Sequence, residues 1–348
     1  MTHAIEPRDA AFALVLHRFL ARFAHTAVSA FVWIILFLYF ADIEPSLIHA
    51  VIRTFLLYAL AQTVTILAAP FALRAIGGNM LRGLVFGTIF SVAALAYMGA
   101  LASGIFPHGA AVIGILLGLY RAFYRAPYEL EHRAVAPQSQ PLFTVELFLG
   151  FTPFLAGLAV AMGIWYPYLL FVAALINALA LIPLLFTLTV YETYSWNYRQ
   201  AFAELIAAKN QPLAVSGVLA GAGGALLFLI WPILLYFELS PQPLVLGAAF
   251  SAALLTLLIV RSRHARVLID QHADGATYID EYTVLKEMSL AIGRLVISLC
   301  AAIGVAVLLS YLKREATTSL TSAPSARPAC PARANSLMTA PMSFPDPA

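Results

Sequence analysis

The chain has 348 residues, 62% of them hydrophobic and 11% charged, with a formal net charge of +3. No soluble fold hides that much apolar surface, and so small a charge, collected at helix ends, excludes a nucleic-acid-binding face. Two cysteines, Cys300 in an apolar run and Cys330 in a polar tail, exclude a disulfide framework and have no metal-site spacing.

In chain order, residues 1–22 carry Arg8, Arg18 and Arg22, with Phe12, Leu16, Phe19, Leu20 and Phe23 at helical spacing. This predicts an amphipathic lead-in lying at the cytoplasmic interface. Then come about nine apolar stretches, each close to the roughly 20 residues that cross a bilayer as a helix. The first, from about Phe23 to Phe40, is too long for a signal-peptide core, has no small-residue cleavage site after it, and reads as a retained span. Asp42, Glu44 and Pro45 end it. The second runs from Leu47 to Leu73, the third from Leu84 to Ile105, and the fourth from Ala110 to Tyr128. A polar hinge, Glu129–Gln140, leads to the fifth, Leu142–Ile164. The sixth follows the Trp165-Tyr166-Pro167-Tyr168 turn and reaches Tyr191. Glu192–Gln211 is a charged linker, read as cytoplasmic. The seventh stretch spans Pro212–Phe237, the eighth ends near Val260, and the last is Met288–Leu312. Residues 313–348, rich in Ser, Thr, Ala and Pro, are expected to be disordered.

The basic residues set an orientation. If the spans alternate, Arg8/Arg18/Arg22, Arg74/Arg82, Arg121/Arg125/Arg133, Arg199/Lys209 and Arg261/Arg263/Arg266 fall on one side, and the opposite hinges hold no Lys or Arg. The expectation is a multi-pass protein of the cell (inner) membrane with a cytoplasmic N-terminus.

Gly-x-x-x-Gly occurs as Gly83/Gly87, Gly114/Gly118 and Gly217/Gly221. Small residues one turn apart let helix backbones approach in lipid, for plain packing or for sliding during a conformational change. The fifth span holds Gly150-Phe-Thr-Pro153-Phe-Leu-Ala156-Gly157. Pro153 removes a backbone hydrogen bond and bends the helix.

Six spans with tight outer turns, a linker and a second set of spans resemble the six-plus-six layout of the major facilitator superfamily of secondary transporters. The hinge Pro70-Phe-Ala-Leu-Arg74-Ala-Ile-Gly77-Gly78-Asn-Met-Leu-Arg82 is similar to that superfamily's loop 2–3 signature through Arg74, Gly77 and Arg82, with Ala72 or Leu73 in place of its acidic residue. The Pro153/Gly157 segment resembles its fifth-span motif, with Ala156 for one glycine. Gly118-Leu-Tyr-Arg121-Ala-Phe-Tyr124-Arg125-Ala-Pro127-Tyr128 looks like the fourth span of some bacterial members. Tyr282 to Arg294 resembles the entry to span 11, which implies that a hairpin of two spans is missing and that the tail stands where span 12 would be. The resemblance implies an all-α fold with a complete six-helix bundle over 23–191 and a shortened bundle of about three spans over 212–312. It also implies conformational roles for Arg74, Gly77, Arg82, Pro153 and Gly157.

Ionisable residues inside spans usually face a cavity or a partner. Arg121 and Glu146, on consecutive helices, are candidates for an internal ion pair or gate. Arg294 and Arg53 are read either as pathway residues or as snorkelling to the interface. Tyr120, Tyr124 and Tyr128 make an aromatic stripe that either packs or lines a pathway. The candidate solute and ion pathway is therefore Arg121, Glu146, Tyr120, Tyr124 and Arg294. His264, Asp270, His272 and Asp274 read as a polar loop and not as metal ligands. With no nucleotide loop, nucleophile elbow or zinc motif, the expected function is gradient-driven transport of a small solute by alternating access, with a coupling ion, no cofactor and no enzymatic activity. The alternatives are a non-transporting membrane scaffold and the remnant of a truncated or frameshifted transporter.

Overall fold

The computed structural model describes residues 7–105, 109–135, 143–192, 194–238, 242–270 and 279–321. Among them the fold is entirely helical. The elements are α1 (Pro7–Val28), α2 (Val32–Ile43), α3 (Leu47–Ala75), α4 (Met80–Ala102), α5 (Ala110–Val135), α6 (Phe143–Ala161), α7 (Tyr166–Leu179), α8 (Leu181–Leu184), α9 (Tyr198–Ile206), α10 (Gln211–Ala225), α11 (Trp231–Glu238), α12 (Pro243–Asp270) and α13 (Ile279–Thr321). One compact unit covers 1–306; a second, 307–348, holds the end of α13.

Among the described residues six helices are long and apolar enough to cross a membrane: Leu47–Ala75, Met80–Ala102, Thr144–Ala161, Tyr166–Leu184, Ala208–Glu238 and Glu281–Tyr311. Asp9–Val28 and Val32–Ile43 together pass as one span broken by a 43° bend. Of the nine expected stretches, α5 and α12 are helical but outside this set. Arg121 and Arg125 dilute the second half of α5, and the apolar part of α12 is the shorter Pro243–Leu258.

The first span departs from its expected bounds. Helix α1 runs through residue 22 without interruption and does not lie apart as a surface helix: Ala10, Leu14 and His17 are completely buried. Its polar side chains find partners inside the bundle, which is why a charged segment packs there. The sixth span ends early, since residues 188–192 are extended and Met80 N–H donates to the Val190 carbonyl, 3.0 Å, while Glu192 N–H donates to that of Gly78, 3.0 Å. The linker folds into α9, capped by Asn197, whose side chain accepts from Gln200 N–H at 2.8 Å. At the C-terminus α13 carries helix past Leu312 to Thr321; of the tail expected to be disordered, 322–348 lies outside the described residues.

In lipid, stray polar groups must be satisfied internally. Thr54, Thr65 and Thr88 donate to the carbonyls one turn back, Ala50, Ala61 and Leu84, at 2.8, 2.9 and 2.7 Å. The glycine pairs mark close crossings. A Cβ on Gly83 would sit 2.5 Å from Pro127 Cγ and one on Gly87 2.7 Å from Tyr124 Cβ, so α4 meets α5 there. Gly114 and Gly118 face Leu57 and Val64 of α3, and Gly217 and Gly221 face Ser289 and Leu290 of α13.

The apolar core falls into blocks. The first contains Phe31, Trp33, Phe37, Tyr58, Leu95, Met98, Leu117, Leu170, Ile233 and Phe250. The second contains Leu73, Ile76, Met80, Phe123, Leu130, Leu205, Val284, Leu285 and Met288. Along α3 the first block reaches Ala61 and the second begins near Ile66; along α5 they meet around Leu119, and along α13 between Ile292 and Ile297.

Candidate functional site: a polar layer inside the bundle

The junction between the two blocks is polar in α3, α4, α5 and α13. It holds Gln62 and Thr65 of α3, Ser91 of α4, Tyr120 and Arg121 of α5, and Arg294 of α13. Asn177 of α7 sits at the matching edge of the first block. His25 enters from α1. Its Nε2 lies 2.6 Å from Ser91 Oγ, to which Asn177 Nδ2 donates, also at 2.6 Å. His25 stacks on Tyr120 at 4.9 Å, 12° from parallel.

The layer is rich in positive charge. Arg121 makes no ion pair; its guanidinium lies 5.5 Å from the Tyr58 ring centroid, a cation–π contact. Arg125, one turn along α5, donates to Glu287 Oε1 of α13 at 3.3 Å. Arg294, two turns beyond Glu287 on α13, is 9% exposed. Nη1 of Arg121 and Nη1 of Arg294 are buried with no acceptor among the described residues. Arg121 and Arg125 both repel Arg294, against the attraction of the single carboxylate Glu287.

The layer is not solid. Tyr120 and His25 stack on each other inside the layer and Arg125 reaches across it to Glu287. Yet Arg125 keeps 44% of its side chain accessible, and Tyr120 and His25 are only half-buried. Accessible surface on these groups, between the two apolar blocks, marks an opening in the packing at this layer, a polar cleft. Two shallow grooves lie elsewhere, one lined by Pro70, Phe71, Arg74, Ala75 and Tyr198, the other between α1, α6 and α7.

The sequence-predicted residues separate accordingly. Arg121, Tyr120 and Arg294 come together in the layer. Tyr124 is buried one turn away, 5.3 Å from Tyr120 and stacked on Tyr128 at 5.9 Å. The stripe thus packs against α1 and α4, and only its Tyr120 end reaches the cleft. Glu146 does not pair with Arg121. It accepts from Arg22 of α1 through both guanidinium nitrogens, with Nη2 to Oε2 at 2.6 Å. The expected pair took the charges on consecutive helices; because α1 packs inside the bundle, its Arg22 reaches Glu146 instead. Arg53 pairs with Glu44 at 2.7 Å, far from the layer.

Among the residues expected to have conformational roles, Arg74 and Arg82 are exposed at the helix ends. Gly77 and Gly78 have φ of 61° and 74°, the left-handed turn that glycine permits. A Cβ on Gly78 would strike the Glu192 carbonyl. Pro153 deprives the Leu149 carbonyl of its helical donor. The Thr152 hydroxyl fills that role at 2.7 Å, and Phe154 N–H donates to Ser251 Oγ of α12 at 2.9 Å. Four residues on, a Cβ at Gly157 would lie 2.5 Å from the Pro243 carbonyl oxygen and 3.2 Å from Gly247 Cα. Pro153 and Gly157 are therefore the crossing of α6 on α12.

Sequence reasoning missed His25, Ser91, Asn177, Gln62 and Glu287. A signal existed for three of these: Gln62, Ser91 and Asn177 are isolated polar residues near the middle of apolar runs. Glu287 carried none, since its partner is 162 residues away.

At the chain's arginine-rich end, α5 and α13 are tied again. Lys286 Nζ donates to Glu129 Oε1 at 2.7 Å, and Glu281 Oε1 accepts from Ser195 N–H at 3.2 Å. Glu131, past the expected end of the fourth span, is completely buried. Burial pushes its carboxyl up to about 7, and both carboxyl oxygens are buried without a hydrogen-bond partner among the described residues. Among the described residues no group of three His, Cys, Asp or Glu is placed to hold a metal ion. The loop with His272 and Asp274 lies outside the described residues, as do the side chains of His264 and Asp270. No protein-family model matches the chain, and no functionally curated protein is significantly similar to it.

Proposed function

We propose that this protein carries a small solute across a bilayer by alternating access, driven by a solute or ion gradient, as a secondary transporter of the major facilitator type. The observation that carries the reading is the accessible, charged polar layer at Arg125, Tyr120 and His25, set between two apolar blocks. A buried cation is costly in lipid and persists where it lines a pathway. The cleft is walled by α5 from the first six expected spans and by α13 from the later set. Alternating access needs such a midplane site between two halves.

Each end of the cleft has groups that can part. At the arginine-rich end these are Arg125–Glu287 and Lys286–Glu129. Toward the other end Phe37 of α2 meets Tyr236 and Phe237 of α11, edge to face, at 5.9 and 5.4 Å. In this reading the N-terminus is cytoplasmic, the membrane is the inner one, the coupling ion comes from the gradient, and the protein is not an enzyme. Purified protein in proteoliposomes, tested with a panel of labelled solutes under imposed ion gradients, should show uptake that Arg125→Gln abolishes. No uptake of any solute, with a well-folded protein, favours the non-transporting scaffold. For topology, Ser46→Cys and Asn197→Cys, made with Cys300 and Cys330 replaced by Ser, should be labelled from opposite faces.

A further inference from the structure

We infer that the cleft binds a small soluble oxyanion, a carboxylate or phosphate group, held between Arg121 of α5 and Arg294 of α13. This rests on the transport reading for its role as substrate recognition, while the binding itself stands on the geometry alone. Three guanidinium groups meet one carboxylate. Glu287 is taken by Arg125 at 3.3 Å, so Arg121 and Arg294 remain without a counter-charge. An isolated buried cation costs several kcal/mol unless it is paired. Nη1 of each is buried without an acceptor, and Arg294 is nine-tenths buried.

The space beside Arg294 is open on the α10 side. A Cβ at Gly224 would meet nothing nearer than Arg294 Nε at 3.8 Å. Guanidinium presents planar paired donors, which match the two oxygens of a carboxylate or phosphate edge. Tyr120 and His25 add polar edges at the same cleft, and His25 is already oriented by Ser91. A lipid headgroup is the other source of such oxygens. The burial of Arg294, nine-tenths complete, favours a free anion, because a lipid headgroup there would have to thread its chains out between helices.

The test is thermal unfolding of the full-length protein in neutral detergent at constant sodium chloride. Sodium phosphate and sodium succinate are titrated separately, and phosphatidylglycerol is a third arm. At least one free anion should raise the melting temperature saturably by several degrees. Arg294→Gln and Arg121→Gln should lose that rise. Arg294→Gln should also melt higher than the parent in chloride alone, because it removes an uncompensated buried charge. Arg294→Lys should keep a weakened, right-shifted response, which a merely structural arginine would not do. The proposal fails if neither free anion protects, if protection survives both Gln variants, or if only phosphatidylglycerol protects. Uptake in proteoliposomes separates the two readings. Anion protection without uptake of any solute overturns transport and leaves the site. Uptake of neutral solutes without anion protection overturns the site and leaves transport.

Discussion

Of the contacts that join the first six expected spans to the later helices, two are built from opposite materials. The crossing of α6 and α12 is dry. Gly157 and Gly247 bring backbone onto backbone, and Ser251 spends its hydroxyl on the amide next to Pro153. The meeting of α5 and α13 is wet and charged, with Arg125–Glu287, Lys286–Glu129 and the accessible cleft between them. A glycine crossing has no side chains to rearrange, so it can turn but not part cheaply. Ion pairs beside water can exchange one partner for another at small net cost. The contrast teaches where a motion would pivot and where it would open.

The largest effect is expected at the dry crossing. Gly157→Leu forces a side chain into the Pro243 carbonyl and Gly247. Overpacking of that severity should cost about 3 kcal/mol or more. The variant should aggregate on fluorescence-detected gel filtration, while Gly223→Ala, whose Cβ meets open space, behaves like the parent. Normal elution of Gly157→Leu would mean that the crossing is looser than its backbone contacts require. The same variant therefore cannot serve as a clean probe of a hinge.

Next comes the titratable group at the wet end. Glu131 folds with its carboxyl near 7, above its ordinary 4.5. Between those values the folded state keeps a proton that the unfolded state has lost, so stability falls as pH rises from about 4.5 to about 7 and then levels. Glu131→Gln, neutral at every pH, should match the parent near pH 4.5 and exceed it above pH 7 by on the order of 1–3 kcal/mol. A stability difference that does not change across that window would show Glu131 ionised in the fold.

The Arg125–Glu287 pair should then give a coupling of about 1–2 kcal/mol in a double-mutant cycle of Gln variants. That is less than a fully buried pair, because Arg125 is 44% exposed. Additive losses would mean the two are held apart. Ser251→Ala, which strands the Phe154 amide at the dry crossing, should cost about 1 kcal/mol in detergent melting. Smallest of all, Lys286→Gln should change stability by no more than about 0.5 kcal/mol, since both partners at Glu129 face solvent in part.

These outcomes bear on how much of the molecule could be read from its residues. The expected helices are present, because apolar length and the punctuation by Pro45, Ser46, Gly77 and Asn79 are local properties. The glycine pairs also mark real crossings, since a missing side chain has a consequence wherever two helices touch. The candidate site was only partly legible. Arg121, Tyr120 and Arg294 stood out as charges and rings inside apolar runs. The partner of Glu146 was misread because the neighbour in sequence, Arg121, was taken before Arg22, which is 124 residues away.

By itself, then, the sequence determined the helical character and most of the bilayer-length apolar stretches and the turns between them. Each of these follows from hydrogen bonding and burial within some tens of residues. Only the tertiary structure decided that α1 is an inside helix, that Arg125 has a counter-charge, and that Arg121 and Arg294 have none. Which charges meet depends on helix rotation and neighbour choice. A buried cation is compensated only by what lies within a few ångströms, whatever its distance along the chain.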